Sequence, residues 1–88
     1  MPTRASPGLT VLFFASARQS AGTPVLTLEA NEGSTLLELT NTLVTRYGPL
    51  FAAVMENCAL WVNGEPATAN SVLHPGDEVA VLPPVSGG

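Results

Sequence analysis

The sequence has no lysine. Its positive residues are Arg4, Arg18 and Arg46, set against seven acidic ones for a formal net charge of −4. Phosphate binding needs clustered Lys and Arg, and these three arginines are scattered, so no nucleic acid partner is expected. There is one cysteine, Cys58. That excludes an internal disulfide framework and any metal site built from Cys pairs. No uninterrupted apolar run is long enough to span a bilayer, so no membrane partner is expected. The stretch from Met1 to Gly8 has no apolar segment behind a basic one and does not read as a signal peptide, so the expected location is cytoplasmic. Charged residues make up only 11% of the chain. So few charges leave some apolar surface to face a partner.

What is present is an ordered composition. Hydrophobic residues are 45% of 88, which suits one small domain with a modest core. Residues 1–7 form a polar, proline-containing lead, 8–82 the domain and 83–88 a projecting tail.

Hydropathy patterning orders the elements. Leu9 to Ala15 is apolar on both faces, with Leu9, Val11 and Phe13 on one and Leu12 and Phe14 on the other, as for a central strand. Ser16 to Gly22 reads as a turn with a possible helical kink. Pro24 to Glu29 is a second strand, joined to the first as a hairpin with a long loop. Thr35 and Glu38 have the spacing of a capping box. Leu36, Leu39, Leu43 and Tyr47 then recur at helical intervals until Gly48-Pro49 stops the helix. Leu50 to Asn57 is ambiguous and compatible with a short helix. Cys58 to Val62 is a third strand, Asn63-Gly64 a tight hairpin turn, and Glu65 to Ala67 a short edge strand that tolerates Pro66. Pro75-Gly76-Asp77 turns into a last strand, Glu78 to Leu82. One helix on a mixed sheet of four to five strands is an α+β arrangement. The hairpin–helix–strands order matches the β-grasp, the ubiquitin fold, with the first and last strands adjacent at the centre.

The chain continues past that strand as Pro83-Pro84-Val85-Ser86-Gly87-Gly88. The prolines lack amide donors, so the ladder cannot extend, and paired prolines favour a stiff, extended backbone. The tail can reach roughly 20 Å, at about 3.3 Å per residue. A terminal carboxylate is a poor electrophile and must be activated, for instance as an acyl-adenylate, by threading the chain end into another enzyme's active site. Glycine suits such a channel because it lacks a Cβ and leaves the carbonyl open to attack.

Other candidates are weaker. Cys58 lies in an apolar strand pattern with no basic neighbour to lower its pKa, and reads as a core residue rather than a sulfur carrier. His74 has no second ligand type at metal spacing and reads as a turn residue. Asp77 and Glu78 are neighbours approaching a strand and point to opposite faces, so no catalytic acid pair is read.

Leu12-Phe13-Phe14-Ala15 with Ala17-Arg18 and Ala21-Gly22, then Val62-Asn63-Gly64-Glu65, then Gly76-Asp77-Glu78-Val79-Ala80 and Leu82 to Gly88 together resemble the small subunits of molybdopterin synthases, ubiquitin-fold sulfur carriers. The resemblance spans nearly the whole chain after Gly8, and the ending is its most specific part. The lead is extra, and Pro75 stands where the family usually has a polar residue. The resemblance implies that Gly88 is adenylated by an ATP-using partner similar to ubiquitin-activating enzymes and converted to a thiocarboxylate. It further implies that Gly88 donates sulfur to a pyranopterin precursor inside the large synthase subunit, building the molybdenum cofactor. Val85, Ser86 and Gly87 would occupy that subunit's channel, with Pro83 and Pro84 launching them. No bound cofactor and no acid or base of its own is implied. Phe13, Phe14 and Val81 are the expected docking residues, one of the two phenylalanines facing the partner and the other the core. A sulfur carrier of another pathway, such as thiamine or cysteine synthesis, and a ubiquitin-like protein modifier remain alternatives. The missing lysines forbid chains built on its own side chains but leave single conjugation open.

Overall fold

The computed structural model describes residues 8–29 and 34–84. Its elements in chain order are β1 (Leu9–Phe13), α1 (Ala15–Ala21), β2 (Val25–Leu28), α2 (Leu36–Tyr47), α3 (Pro49–Met55), β3 (Ala59–Val62), β4 (Glu65–Pro66) and β5 (Glu78–Leu82). The strands form one mixed sheet in the order β2-β1-β5-β3-β4. β1 runs parallel to β5 and antiparallel to β2, while β3 is antiparallel to both β5 and β4. The first and last strands are therefore adjacent, as the patterning requires. With its main helix packed on one side, the sheet has the β-grasp architecture.

The main helix begins where its capping box places it. Thr35 Oγ1 accepts from the Glu38 backbone N–H, and Glu38 Oε1 accepts from the Thr35 N–H. Two of the helix's orphan amides are satisfied in this way. At the other end the Gly48 N–H bonds Val44 O, and Pro49 opens α3 immediately. Pro49 suits a first helical position because it has no amide proton to lose. The ambiguous stretch after Leu50 is thus helical.

The turn with a possible helical kink read from Ser16 to Gly22 is realised as α1, which begins one residue earlier at Ala15. It is a helix of seven residues, and Gly22 closes it with a left-handed φ of 80° and a bond to Arg18 O. The amphipathic signal was too short to register, because only Ala17 is fully buried in α1.

The core lies on one side of the sheet. Val11, Phe13, Val79 and Val81 of the strands meet Ala17 of α1, Leu36, Leu39 and Leu43 of α2, and Phe51 and Met55 of α3. Phe13, Tyr47 and Phe51 form a trio of rings, with Phe13 edge-on to both partners at 5.7 Å. Such edge-to-face contacts add to the burial of the rings themselves. Leu73, 1% exposed, pins the long connection between β4 and β5 into the same cluster.

Candidate functional site

None of the described helices packs on the sheet's second face, since the buried residues of all three join the cluster on the first. Register defines what lies on it. Val25 pairs with Leu12, Leu12 with Ala80, Ala80 with Trp61 and Trp61 with Pro66, so one apolar row crosses the five strands. Leu82 pairs with Ala59 on the same face, one step toward the end of β5. Strand residues directly opposite one another share a face and stand side by side.

Phe14 extends this face. Its N–H bonds Val81 O, and the register carried on from Phe13–Val81 puts it beside Leu82. Phe14 is 43% exposed, and Val25 is 44% exposed. The open face therefore reaches the point where β5 hands over to Pro83 and Pro84, of which Pro84 is exposed.

The docking expectation is corrected at Val81, and the choice between the two phenylalanines is resolved. Phe13 is 2% exposed and Val81 0%. Both belong to the core, because alternation along β1 and β5 turns them under the helices. Phe14 is the outward member of the phenylalanine pair. The residues that accompany it, Leu12, Trp61, Ala80 and Leu82, were not singled out from the sequence. The signal was available in the period-2 alternation of Ala59 to Val62 and Glu78 to Leu82, but only the strand register says that they form one surface.

The residues read as chemically idle are placed as follows. Cys58 is half-buried, its thiol donates to Val54 O at 3.2 Å, and burial pushes its pKa up. A protonated, hydrogen-bonded thiol is a poor nucleophile. Asp77 accepts from the His74 backbone N–H at 2.8 Å and from Asn63 Nδ2 at 2.9 Å. Those two bonds, the backbone one foremost, hold its carboxyl below the ordinary carboxylate range. Asn63 in turn accepts from the Glu78 N–H, so the β3–β4 turn is latched to the start of β5. This latch sits at the opposite end of β5 from Leu82.

A concavity between β2 and α2 is lined by Leu9, Leu28, Glu29, Glu38 and Leu39. It too lies at the strand ends away from Leu82. Among the described residues no three His, Cys, Asp or Glu side chains are grouped as for a metal ion. None of the described helices is long and apolar enough to cross a membrane. The lead 1–7 and the tail residues Val85, Ser86, Gly87 and Gly88 lie outside the described residues.

A β-grasp domain whose central strand leads into Pro83-Pro84, beside an apolar sheet face that none of the described helices covers, falls in the ubiquitin-like class. The comparisons give the particular family. The ThiS family model matches residues 11–88, and the chain belongs to the ThiS family. It is 38% identical over 78 residues to the molybdopterin synthase sulfur carrier subunit of Arabidopsis thaliana, covering 89% of this chain and 80% of that one. Among solved structures it is similar to SAMP1 from Haloferax volcanii, with a TM-score of 0.80, 26% identity and 92% of this chain and 99% of that one covered. It also shares the fold of a chain in the complex of subunits 1 and 2 of molybdopterin-converting factor from Helicobacter pylori. There the TM-score is 0.64 and the identity 23%, over 91% of this chain and 97% of that one.

Proposed function

We propose that this chain is the sulfur-carrier subunit of a molybdopterin synthase and that Gly88 is its working residue. An ATP-using activating enzyme adenylates the Gly88 carboxylate and releases pyrophosphate. A sulfur donor then displaces AMP and leaves a thiocarboxylate. The large synthase subunit takes up Val85, Ser86 and Gly87. There the thiocarboxylate sulfur attacks a carbon of the pyranopterin precursor and displaces an oxygen substituent. Water then cleaves the acyl–sulfur bond, leaving the sulfur on the pterin and returning the Gly88 carboxylate. Tethering makes that attack effectively intramolecular, so the carrier needs no acid or base of its own.

One observation carries the reading: β5 is paired on both sides within the sheet and leads directly into Pro83-Pro84 at the margin of the open apolar face. A partner seated on Leu12, Phe14, Trp61, Ala80 and Leu82 stands where the tail departs. The kinship with sulfur carrier subunits at 38% identity supports it further.

The direct test is intact-protein mass spectrometry after incubation with activating enzyme, ATP and a sulfur source. The expected product gains the mass difference between sulfur and oxygen, localised to the C-terminal peptide. Isopeptide adducts on lysines of other proteins, without that gain, would identify a protein modifier instead.

A further inference from the structure

We infer that Ala15 is a positioning residue for partner docking: its left-handed backbone holds the Phe14 ring ready on the open face. The inference rests on the reading that the large synthase subunit covers that face.

Six described residues have positive φ. Four are Gly22, Gly48, Gly64 and Gly76, and a fifth is Asn63, a residue type that tolerates the left-handed region. The sixth is Ala15, with φ 50°. Where the fold needs this conformation it otherwise uses the residues that accept it. Packing does not explain the methyl group, since Ala15 is exposed and absent from the core cluster.

The neighbourhood shows what the conformation does. Phe14 is extended, with φ −123° and ψ 150°, and its N–H is bonded to Val81 O of β5. Its carbonyl accepts from the N–H groups of Ala17 at 3.0 Å and Arg18 at 3.3 Å. Phe14 is thus the last residue on the sheet and the cap of α1 together. The reversal at Ala15 allows both, and it leaves the ring facing outward beside Leu82.

Glycine would make the same reversal without strain, but it would also admit many other backbone angles. A Cβ at position 15 removes the conformations open only to glycine, and the bonds of Phe14 to Val81, Ala17 and Arg18 select the left-handed one from those that remain. Strained non-glycine residues persist only where the surrounding structure over-determines them, and they cluster at functional sites. A contact residue held in its bound direction loses less freedom on association.

Three variants test this: Ala15→Gly, Ala15→Asn and Phe14→Ser, each titrated against the recombinant large synthase subunit. Amide relaxation by NMR reads out the Phe14 backbone in the free protein. Ala15→Gly is expected to keep or raise the thermal midpoint, to lower the Phe14 order parameter, and to weaken binding about three- to five-fold. Ala15→Asn, which restores a Cβ that tolerates the left-handed region, is expected to bind as the natural chain does. If Phe14→Ser weakens binding while Ala15→Gly leaves both affinity and order parameter unchanged, the positioning role is wrong and the docking face stands. A lowered midpoint in Ala15→Gly would make Ala15 a residue of the fold alone. If Phe14→Ser binds normally, the docking face itself is misplaced and the inference falls with it.

Discussion

Phe13 and Phe14 are consecutive residues that stand on opposite sides of one sheet: the first is 2% exposed, its ring within a trio of aromatics, and the second is 43% exposed beside the end of β5. Their substitutions should separate folding from binding. Phe13→Ala opens a cavity between β1 and the helices and should cost about 3–5 kcal/mol of stability in urea titration. Phe14→Ser should change stability by no more than about 0.5 kcal/mol while weakening the complex with the large synthase subunit. Equal stability losses in the two variants would contradict the assignment of faces.

The tail makes the sharpest functional prediction. Deleting Gly88 draws the terminal carboxylate back by about 3.5 Å. Displacements much smaller than that can cost about a hundredfold in rate. Sulfur delivery in a reconstituted synthase should therefore fall by about a hundredfold or more, with the circular dichroism spectrum unchanged. Gly87→Phe should fail similarly, because the added side chain meets the channel wall. A variant lacking Gly88 that still transfers sulfur would remove the basis of the proposed mechanism.

Cys58 should prove dispensable for transfer. Cys58→Ala loses the thiol's contact with Val54 O and some packing, and should cost about 1 kcal/mol. Sulfur delivery by the folded variant should match that of the natural chain. A carrier role for Cys58 would show as lost transfer with the melting curve intact.

The Asp77 latch predicts an acid dependence. Its carboxyl is held below the ordinary carboxylate range in the folded chain. A depressed folded-state pKa contributes stability that is complete above the unfolded-state value. That stability is lost as pH falls from about 4 through the folded value. Asp77→Asn should flatten this limb of the stability–pH curve. The effect should be small and should shrink in salt, since the group is largely solvated. Equal acid limbs in the two proteins would show that the bonds to His74 and Asn63 do not hold the carboxylate.

Most of the fold was legible because its signals are local. The Thr35–Glu38 box, the leucines at helical spacing, the Asn63-Gly64 turn and the alternation of β5 each lie within a few residues, and each is realised. α1 was not legible because seven residues with one buried alanine carry no periodicity. Val81 is read onto the wrong face, and the choice between Phe13 and Phe14 stays open in the sequence, for a related reason. Alternation divides a strand into two sets, but it does not say which set meets the helices when both are apolar. The Asn63–Asp77 contact joins residues 14 apart in sequence and depends on how two turns meet. No pattern within either turn contains it.

The order of the strands has a consequence for how the chain comes to be made. β5 is the last described strand in sequence and also the middle of the sheet, pairing with β1 through Val11–Val79 and with β3 through Val62–Val79. Until residues 78–82 have left the ribosome, β1 and β3 have no common neighbour, and the hydrophobic cluster lacks Val79 and Val81. Joining β1 to β5 closes nearly the full length of the domain, a distant contact of the sort that slows folding. The sheet is thus completed by the same stretch of chain that leads into the tail. A nascent or truncated chain without that stretch has neither a finished sheet nor a closed hydrophobic cluster.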